Sequence, residues 1–410
     1  MQKRLKYFIW PLGCQMNKSD AERIESILKK LKYQKTLNDK EADLIVVIAC
    51  SIRQSAVDRI YGKFKWWQKK QKKGELITVL TGCVLEKDLK KFKPKFDYIF
   101  DIKDLKQFLN LEPIYNSKFQ AAVPIITGCN NFCTYCAVPY TRGREKSRPY
   151  NDIIKEVKKL IKKNYKEITL LGENVNSYKY NFPKLLEEIA KMPGDFWLRF
   201  TAPHPKDFSD ELIKIIAQYP KICKQINLPV QSGNDAILKK MNRPYTIKQY
   251  LDLVARIKKA IPNISLSTDC IVGFPGETKK QFQDSCKLFK KVKFNMAFIA
   301  QYSIRPGTPA AKMEQTVNHE EKKRRDIKLT KILKSTAKNV NKKNINKTVK
   351  ILVEKYRVNH WLGRTEQNVT VRFMAPQKPD LTGKFNNVKI SEANSFDFAG
   401  KLAKPVRDIS

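Results

Sequence analysis

A chain of 410 residues with 42% apolar content is too long for one ordinary core and suits two or three, with room for a buried cofactor. No apolar run approaches the ~18 residues of a membrane span, and the short apolar stretch 7–12 is followed by polar residues instead of a cleavage site, so a cytoplasmic protein is expected. Lys and Arg number 81 against 40 Asp and Glu, a net charge of +41 that favours a polyanionic partner such as nucleic acid, with a solvated lysine surface as the competing reading.

The first hundred residues repeat one pattern. Strand-like runs at 7–12, 44–49 and 77–80 end at Gly13-Cys14, Cys50 and Gly82-Cys83, and helical stretches near 19–31 and 55–71 follow the first two. Short β-branched runs alternating with helices predict a parallel sheet buried on both faces, whose ligand crevice lies at the carboxyl ends of its strands. Nine cysteines without a secretory leader read as reduced thiols or metal ligands. Three of them at three successive strand ends are poorly explained as buried apolar residues.

A second series begins near residue 120. Apolar runs at 123–126, 168–171, 197–200, 226–230, 264–266 with 271–272, and 296–300 each end in a polar or glycine cluster, among them Gly172-Glu173-Asn174 and Gly273-Phe274-Pro275-Gly276. Six strand–helix units predict an open or partial (β/α)6 barrel with its chemistry at the C-terminal face. The basic stretch 322–347 predicts a closing helix. Beyond 351, short alternating runs at 369–373 and 388–390, punctuated by Gly363, Gly383 and Gly400, predict a small all-β barrel of a kind used on RNA. The expected fold class is therefore α/β, divided as 1–115, 120–345 and 346–410.

The sharpest motif is Cys129-Asn130-Asn131-Phe132-Cys133-Thr134-Tyr135-Cys136. Three thiolates at this spacing can wrap one face of a cubane iron–sulfur cluster and leave its fourth iron open to a substrate. Zinc is the competing reading, but the run supplies three ligands and no nearby histidine.

This run resembles the radical S-adenosylmethionine (SAM) superfamily, and nearly the whole chain resembles its methylthiotransferase branch. The segments that carry the likeness are Gly13 to Asn17 with Asp20, Cys50 to Arg53, Gly82-Cys83, Gly128 to Glu145 with Ser147-Arg148-Pro149, and Asn174 to Tyr178. Leu228 to Gly233, Met241-Asn242-Arg243 with Tyr245-Thr246, and Ser267 to Asp269 through Gly276 to Thr278 extend it. Gly363-Arg364-Thr365 and Thr382-Gly383-Lys384 resemble a TRAM RNA-binding domain.

The resemblance implies two 4Fe-4S clusters, an auxiliary one on Cys14, Cys50 and Cys83 and a radical one on Cys129, Cys133 and Cys136. One SAM would give its methyl group to sulfur, and a second would yield the radical that takes hydrogen from an unactivated carbon, chemistry that acid–base catalysis cannot supply. The expected SAM-binding residues are Tyr135, Glu173, Asn174, Arg199, Thr268, Asp269 and Gly273. Within the branch the motifs most resemble members acting on N6-dimethylallyladenosine beside the tRNA anticodon. Threonylcarbamoyl adenosine and a ribosomal-protein aspartate are the alternative substrates, and a noncatalytic iron–sulfur or zinc RNA-binding protein is the alternative class. The implied partners are a tRNA anticodon stem-loop and an electron donor that the sequence does not identify, with the chain as a monomer. Departures from the branch's pattern stand out: Glu173 in place of glutamine, Asn227 in place of histidine, Ile48-Ala49 in place of Asn-Thr, and a shorter stretch between Cys83 and Cys129.

Other residues carry weaker expectations. Cys223, Cys270 and Cys286 read as core cysteines, Trp66 and Trp67 as packing residues, and His319 and His360 as surface residues. His204 reads either as an active-site wall or as a loop anchor. Arg142, Arg144 and Arg148 are candidates for tRNA phosphates, and Phe373 and Phe385 for base stacking.

Overall fold

The computed structural model describes residues 4–51, 54–103 and 111–403. Its N-terminal part is one parallel sheet in the order β2-β1-β3-β4-β5. The elements are β1 (Lys6–Pro11), α1 (Gln15–Lys30), β2 (Gln34–Lys35), β3 (Leu44–Cys50), α2 (Gln54–Gln71), β4 (Ile77–Cys83), α3 (Glu86–Phe92) and β5 (Tyr98–Ile99). All seven residues of the central strand β3, Leu-Ile-Val-Val-Ile-Ala-Cys, are buried, as a strand covered on both faces requires. Trp67 lies in the core beside Phe64 and Phe96, with Trp66 packed at its edge.

The central part carries six parallel strands, β6 (Gln120–Pro124), β9 (Glu167–Leu171), β10 (Trp197–Phe200), β11 (Gln225–Asn227), β12 (Ser265–Val272) and β13 (Met296–Gln301). They form two three-stranded sheets, and a parallel bridge from Leu198 of β10 to Ile222, just before β11, links them into the partial barrel. Between β6 and β9 a short antiparallel pair, β7 (Ile126–Thr127) and β8 (Lys146–Ser147), brackets the loop that bears Cys129, Cys133, Cys136 and the one-turn helix α4 (Val138–Thr141).

The outer helices are α5 (Tyr150–Lys162), α6 (Phe182–Lys191), α7 (Asp210–Gln218), α8 (Asp235–Lys240), α9 (Ile247–Ala260), α10 (Lys279–Val292) and α11 (His319–Asn341). Helix α5 is typical: Ile153, Ile154, Val157 and Leu160 recur at helical spacing and are its buried residues. Thr246 with Gln249 and Thr278 with Gln281 form capping boxes that start α9 and α10. Two strand expectations change. The run 226–230 stops at Asn227, since Pro229 has no amide for the ladder and Gln231 turns to φ +69°. The runs 264–266 and 271–272 are two ends of one strand, β12.

The C-terminal part is a closed barrel of β14 (Thr348–Arg357), β15 (His360–Thr365), β16 (Thr370–Met374), β17 (Phe385–Ala393) and β18 (Asp397–Leu402). Its docking onto the central barrel corrects three expectations. Arg199, expected at SAM, is engaged at the junction: its Nε donates to Glu167 at 2.6 Å and its two terminal nitrogens donate to the carbonyls of Glu366 and Thr365. Phe373 is interior to the small barrel and Phe385 packs on Trp197 across the junction, so neither is a free stacking platform. Cys223 joins that junction, whereas Cys270 and Cys286 lie in the central core.

Candidate active site

The first cysteine trio is assembled by parallel pairing. Cys50 and Cys83 close β3 and β4 as register partners, and Cys14 is the N-cap residue of α1. One helical turn after Cys14, Asn17 ties the ends together. Its Nδ2 donates to the carbonyls of Leu12 at 2.6 Å and Ala49 at 2.8 Å, and its Oδ1 lies 3.8 Å from the Sγ atoms of both Cys14 and Cys83. Gly13 lets the β1 end approach Cys50: its φ is +114°, and a Cβ there would lie 2.6 Å from the Cys50 Cβ. Burial pushes the Cys83 thiol up to about 12. Cys14 remains exposed. Ile52 and Arg53 of the second cysteine motif lie outside the described residues.

The second trio occupies the loop between β7 and β8. Gly128 enters it at φ +76°, where a Cβ would lie 2.3 Å from the Arg144 carbonyl oxygen. Cys129 and Cys133 are buried and Cys136 is half-buried, with the Cys136 amide donating to the Cys133 carbonyl at 2.9 Å. The Asn131 side-chain amide sits 3.4 Å from the Cys129 Sγ, and an Arg243 guanidinium nitrogen 3.6 Å from the Cys133 Sγ. Burial pushes the Cys136 thiol up to about 12 and that of Cys129 upward, and repulsion between the neighbouring sulfurs adds to both. Among the described residues no group of three or more Cys, His, Asp or Glu side chains converges on a single metal ion.

Between the trios lies a buried polar bridge. Arg142, which ends α4 six residues after Cys136, sends its Nε to 3.0 Å from the Cys83 Sγ and a terminal nitrogen to 2.6 Å from Asp20. The same Nε is 3.3 Å from a Glu173 oxygen. Burial raises the Glu173 carboxyl to about 7, Arg142 opposes the rise and Asp20 adds to it. The charge of Glu173 acts on both Cys83 and Cys136, one from each trio. Glu173 thus lies close enough to one thiol of each trio to act on both.

Glu173 Oε2, Asn174 Oδ1 and His204 Nε2 are among the buried polar atoms that lack a partner. Buried polar atoms are normally satisfied, so the residues present fit a bound molecule with its own donors and acceptors, as SAM has. Burial, with Arg243 and Lys206 nearby, drives the His204 pKa down to about 2, so its ring is neutral. It stacks edge-on against Tyr245 while Nδ1 accepts from the Lys206 amide, combining wall and loop anchor.

The remaining expected residues differ in how free they are. Tyr135 packs against Ile237, Met241, Phe274 and Tyr302, a wet-proof wall beside the loop. Asp269 accepts from Asn227 at 2.8 Å, and burial raises its carboxyl. Thr268 is spent inside the sheet, donating to the Leu228 carbonyl and accepting from the Val230 amide. The Gly273 amide is taken by Glu277, itself held by Arg325. Of the three arginines expected at tRNA phosphates, Arg142 and Arg148 are buried on Asp20 and Glu156, and only Arg144 is exposed, over the Phe132 ring. Sequence reasoning gave no role to Asn17, Arg142 or Arg243 at the thiols. The offset of three from Cys14 would have found Asn17, since i and i+3 share a helix face.

Residues 123–289 match the model of the radical SAM superfamily and residues 6–101 that of uncharacterized protein family UPF0004. The tRNA-2-methylthio-N(6)-dimethylallyladenosine synthase of Clostridium botulinum (strain Okra / Type B1) is 42% identical, over 97% of this chain and 96% of the relative. The synthase of the same name from Alkaliphilus oremlandii is 39% identical over 98% and 93%. This chain belongs to the tRNA-2-methylthio-N(6)-dimethylallyladenosine synthase family.

Among solved structures, the radical SAM methyltransferase TsrM of Kitasatospora setae aligns with TM-score 0.60 over 75% of each chain, and the cobalamin-dependent radical enzyme OxsB with 0.53 over 82% of this chain and 56% of the other. Both are 13% identical and speak to the fold alone. The positions that departed from the expected pattern have these surroundings: Glu173 lies in the bridge, Asn227 on Asp269, and Ile48-Ala49 where only backbone carbonyls meet Asn17.

Proposed function

We propose that this chain adds a methylthio group to N6-dimethylallyladenosine beside the tRNA anticodon, with a radical cluster on Cys129, Cys133 and Cys136 and an auxiliary cluster on Cys14, Cys50 and Cys83. The observation that supports the proposal is Arg142, which follows Cys136 in the loop of one trio and places its side chain on Cys83 of the other, with Glu173 beside it. When bound, the clusters and SAM supply a carbon-centred radical for an unactivated C–H bond and the sulfur that replaces the hydrogen.

The chain's own residues then have separable tasks. Each trio would offer three thiolates to hold its cluster. Glu173, Asn174 and His204 present unpaired polar atoms that would orient SAM. Tyr135, Phe274 and Tyr302 keep water from the loop. Thr268 and Gly273 act indirectly, by fixing the strand ends, and Arg199 fixes the small barrel. tRNA, an external electron donor and a monomeric chain complete the proposal. No helix among the described residues is long and apolar enough to cross a membrane.

Nucleoside mass spectrometry of tRNA from a host lacking the activity, with and without this chain expressed, tests the reading. The 2-methylthio form of N6-dimethylallyladenosine should appear at the expense of its precursor. A new methylthio mark on threonylcarbamoyl adenosine, or on no tRNA nucleoside, refutes the substrate.

A further inference from the structure

Arg142 has its backbone in one cysteine trio's loop and its side chain in the other's ligand shell. Its amide closes α4 by donating to the Val138 carbonyl at 2.8 Å, which makes it part of the segment that follows Cys136. Its guanidinium is 3% exposed and reaches into the N-terminal sheet. Nε points at the Cys83 Sγ, 3.0 Å away, and one terminal nitrogen is shared between Asn17 Oδ1 at 2.9 Å and Asp20 at 2.6 Å. Asn17 in turn touches the segments that end in Cys14 and Cys50, so Arg142 holds the centre of the whole trio.

A buried cation of this kind has two physical consequences. A guanidinium is planar, always charged and forked, so its contacts with sulfur, amide and carboxylate fix the direction of Cys83 as well as its charge environment. An N–H donor and a positive charge beside a cluster sulfur favour the more negative, reduced cluster and so raise its reduction potential. Asp20 and Glu173 flank the same guanidinium and keep its burial affordable, since a lone charge there would be strongly destabilising. Arg243 stands in a similar relation to the radical loop, with Cys133 at 3.6 Å.

We infer that Arg142 is a positioning residue through which the radical-cluster loop orients Cys83 and sets the potential of the auxiliary cluster above that of the same cluster without it. The inference rests on the two-cluster reading proposed above and assigns a separate task within it. Its specific content is that a residue carried by the radical loop tunes the other cluster.

The test uses the full chain, reconstituted anaerobically, in the Cys129→Ala, Cys133→Ala, Cys136→Ala background, where about four irons should remain, all on the auxiliary site. A redox titration followed by electron paramagnetic resonance gives the midpoint with Arg142, Arg142→Gln and Arg142→Lys. The midpoint should move negative in Arg142→Gln and by a smaller amount in Arg142→Lys, which keeps the charge and loses the fork. An unmoved midpoint in Arg142→Gln with iron retained overturns the inference. Should the glutamine variant fail to fold by circular dichroism, Arg142→Lys decides alone, and an unmoved midpoint there overturns it. In the complementary background, with Cys14, Cys50 and Cys83 changed to Ala, Arg142→Gln should leave the radical-cluster midpoint nearly in place, and an equal shift there also overturns it. A triple-cysteine background that binds no iron refutes the two-cluster reading itself and the inference with it.

Discussion

Replacing Glu167 by glutamine tests how the small barrel is held on the catalytic one. Glu167 is buried at the start of β9, with one oxygen 2.6 Å from Arg199 and the other 2.9 Å from Arg364 of the small barrel. Burial alone would raise its pKa, but the two guanidinium groups outweigh it and hold the carboxyl below the ordinary carboxylate range. Removing one partner of a buried ion pair typically costs 3–5 kcal/mol. Here Arg199 keeps two carbonyl acceptors and Arg364 keeps Glu354, so the lower end, about 3 kcal/mol, is expected. That corresponds to roughly 6–12 °C in the unfolding transition of a mid-sized domain. Because the folded pKa is depressed, the stabilisation is present above the unfolded value and disappears as pH falls through the folded one. Calorimetry of the parent and Glu167→Gln chains from neutral to acid pH is the assay. The difference between them should be largest near neutrality and shrink on acidification. A variant that unfolds with the parent at neutral pH, or a gap that widens in acid, refutes this account of the junction.

Three further outcomes follow from the geometry. Gly128→Ala forces a Cβ to 2.3 Å from the Arg144 carbonyl and should lower iron to about four per chain by disordering the radical loop; iron near eight contradicts this. Cys223→Ser and Cys286→Ser alter cysteines packed among apolar side chains, so chain stability should fall while iron per folded chain stays unchanged. For tRNA, affinity should drop by roughly a thousandfold or more between 50 and 200 mM salt if about six phosphates are met, measured by filter binding; a flat response removes the phosphate backbone as the main attraction.

The residues legible in the sequence were those whose role depends on local spacing. Cys129, Cys133 and Cys136 declare themselves within eight positions, and Cys14, Cys50 and Cys83 stand out because a parallel sheet brings successive strand ends together. Arg142 illustrates what was not legible. It looks like a basic loop residue for a phosphate until Asp20, Asn17 and Cys83 arrive from a different sheet. The junction contacts of Arg199 were hidden for the same kind of reason, since its acceptors Thr365 and Glu366 lie far along the chain, where only docking of the small barrel reveals them. Phe373 and Phe385 carry the aromatic signal of a stacking surface, yet alternation alone does not say which face of a small barrel is interior. Glu173 was expected at the cofactor, and its second task, joining the trios, depends on Arg142 crossing between sheets.

The division of labour between the trios is the central claim, and one incubation tests it. Hypomodified tRNA, SAM and a low-potential reductant are given to the reconstituted parent and to the variant with Cys14, Cys50 and Cys83 changed to Ala, and 5′-deoxyadenosine and methylthio nucleoside are quantified together. The parent should form both, whereas the variant should still form 5′-deoxyadenosine and no methylthio nucleoside. Methylthio product from the variant at the parent's level would contradict the account.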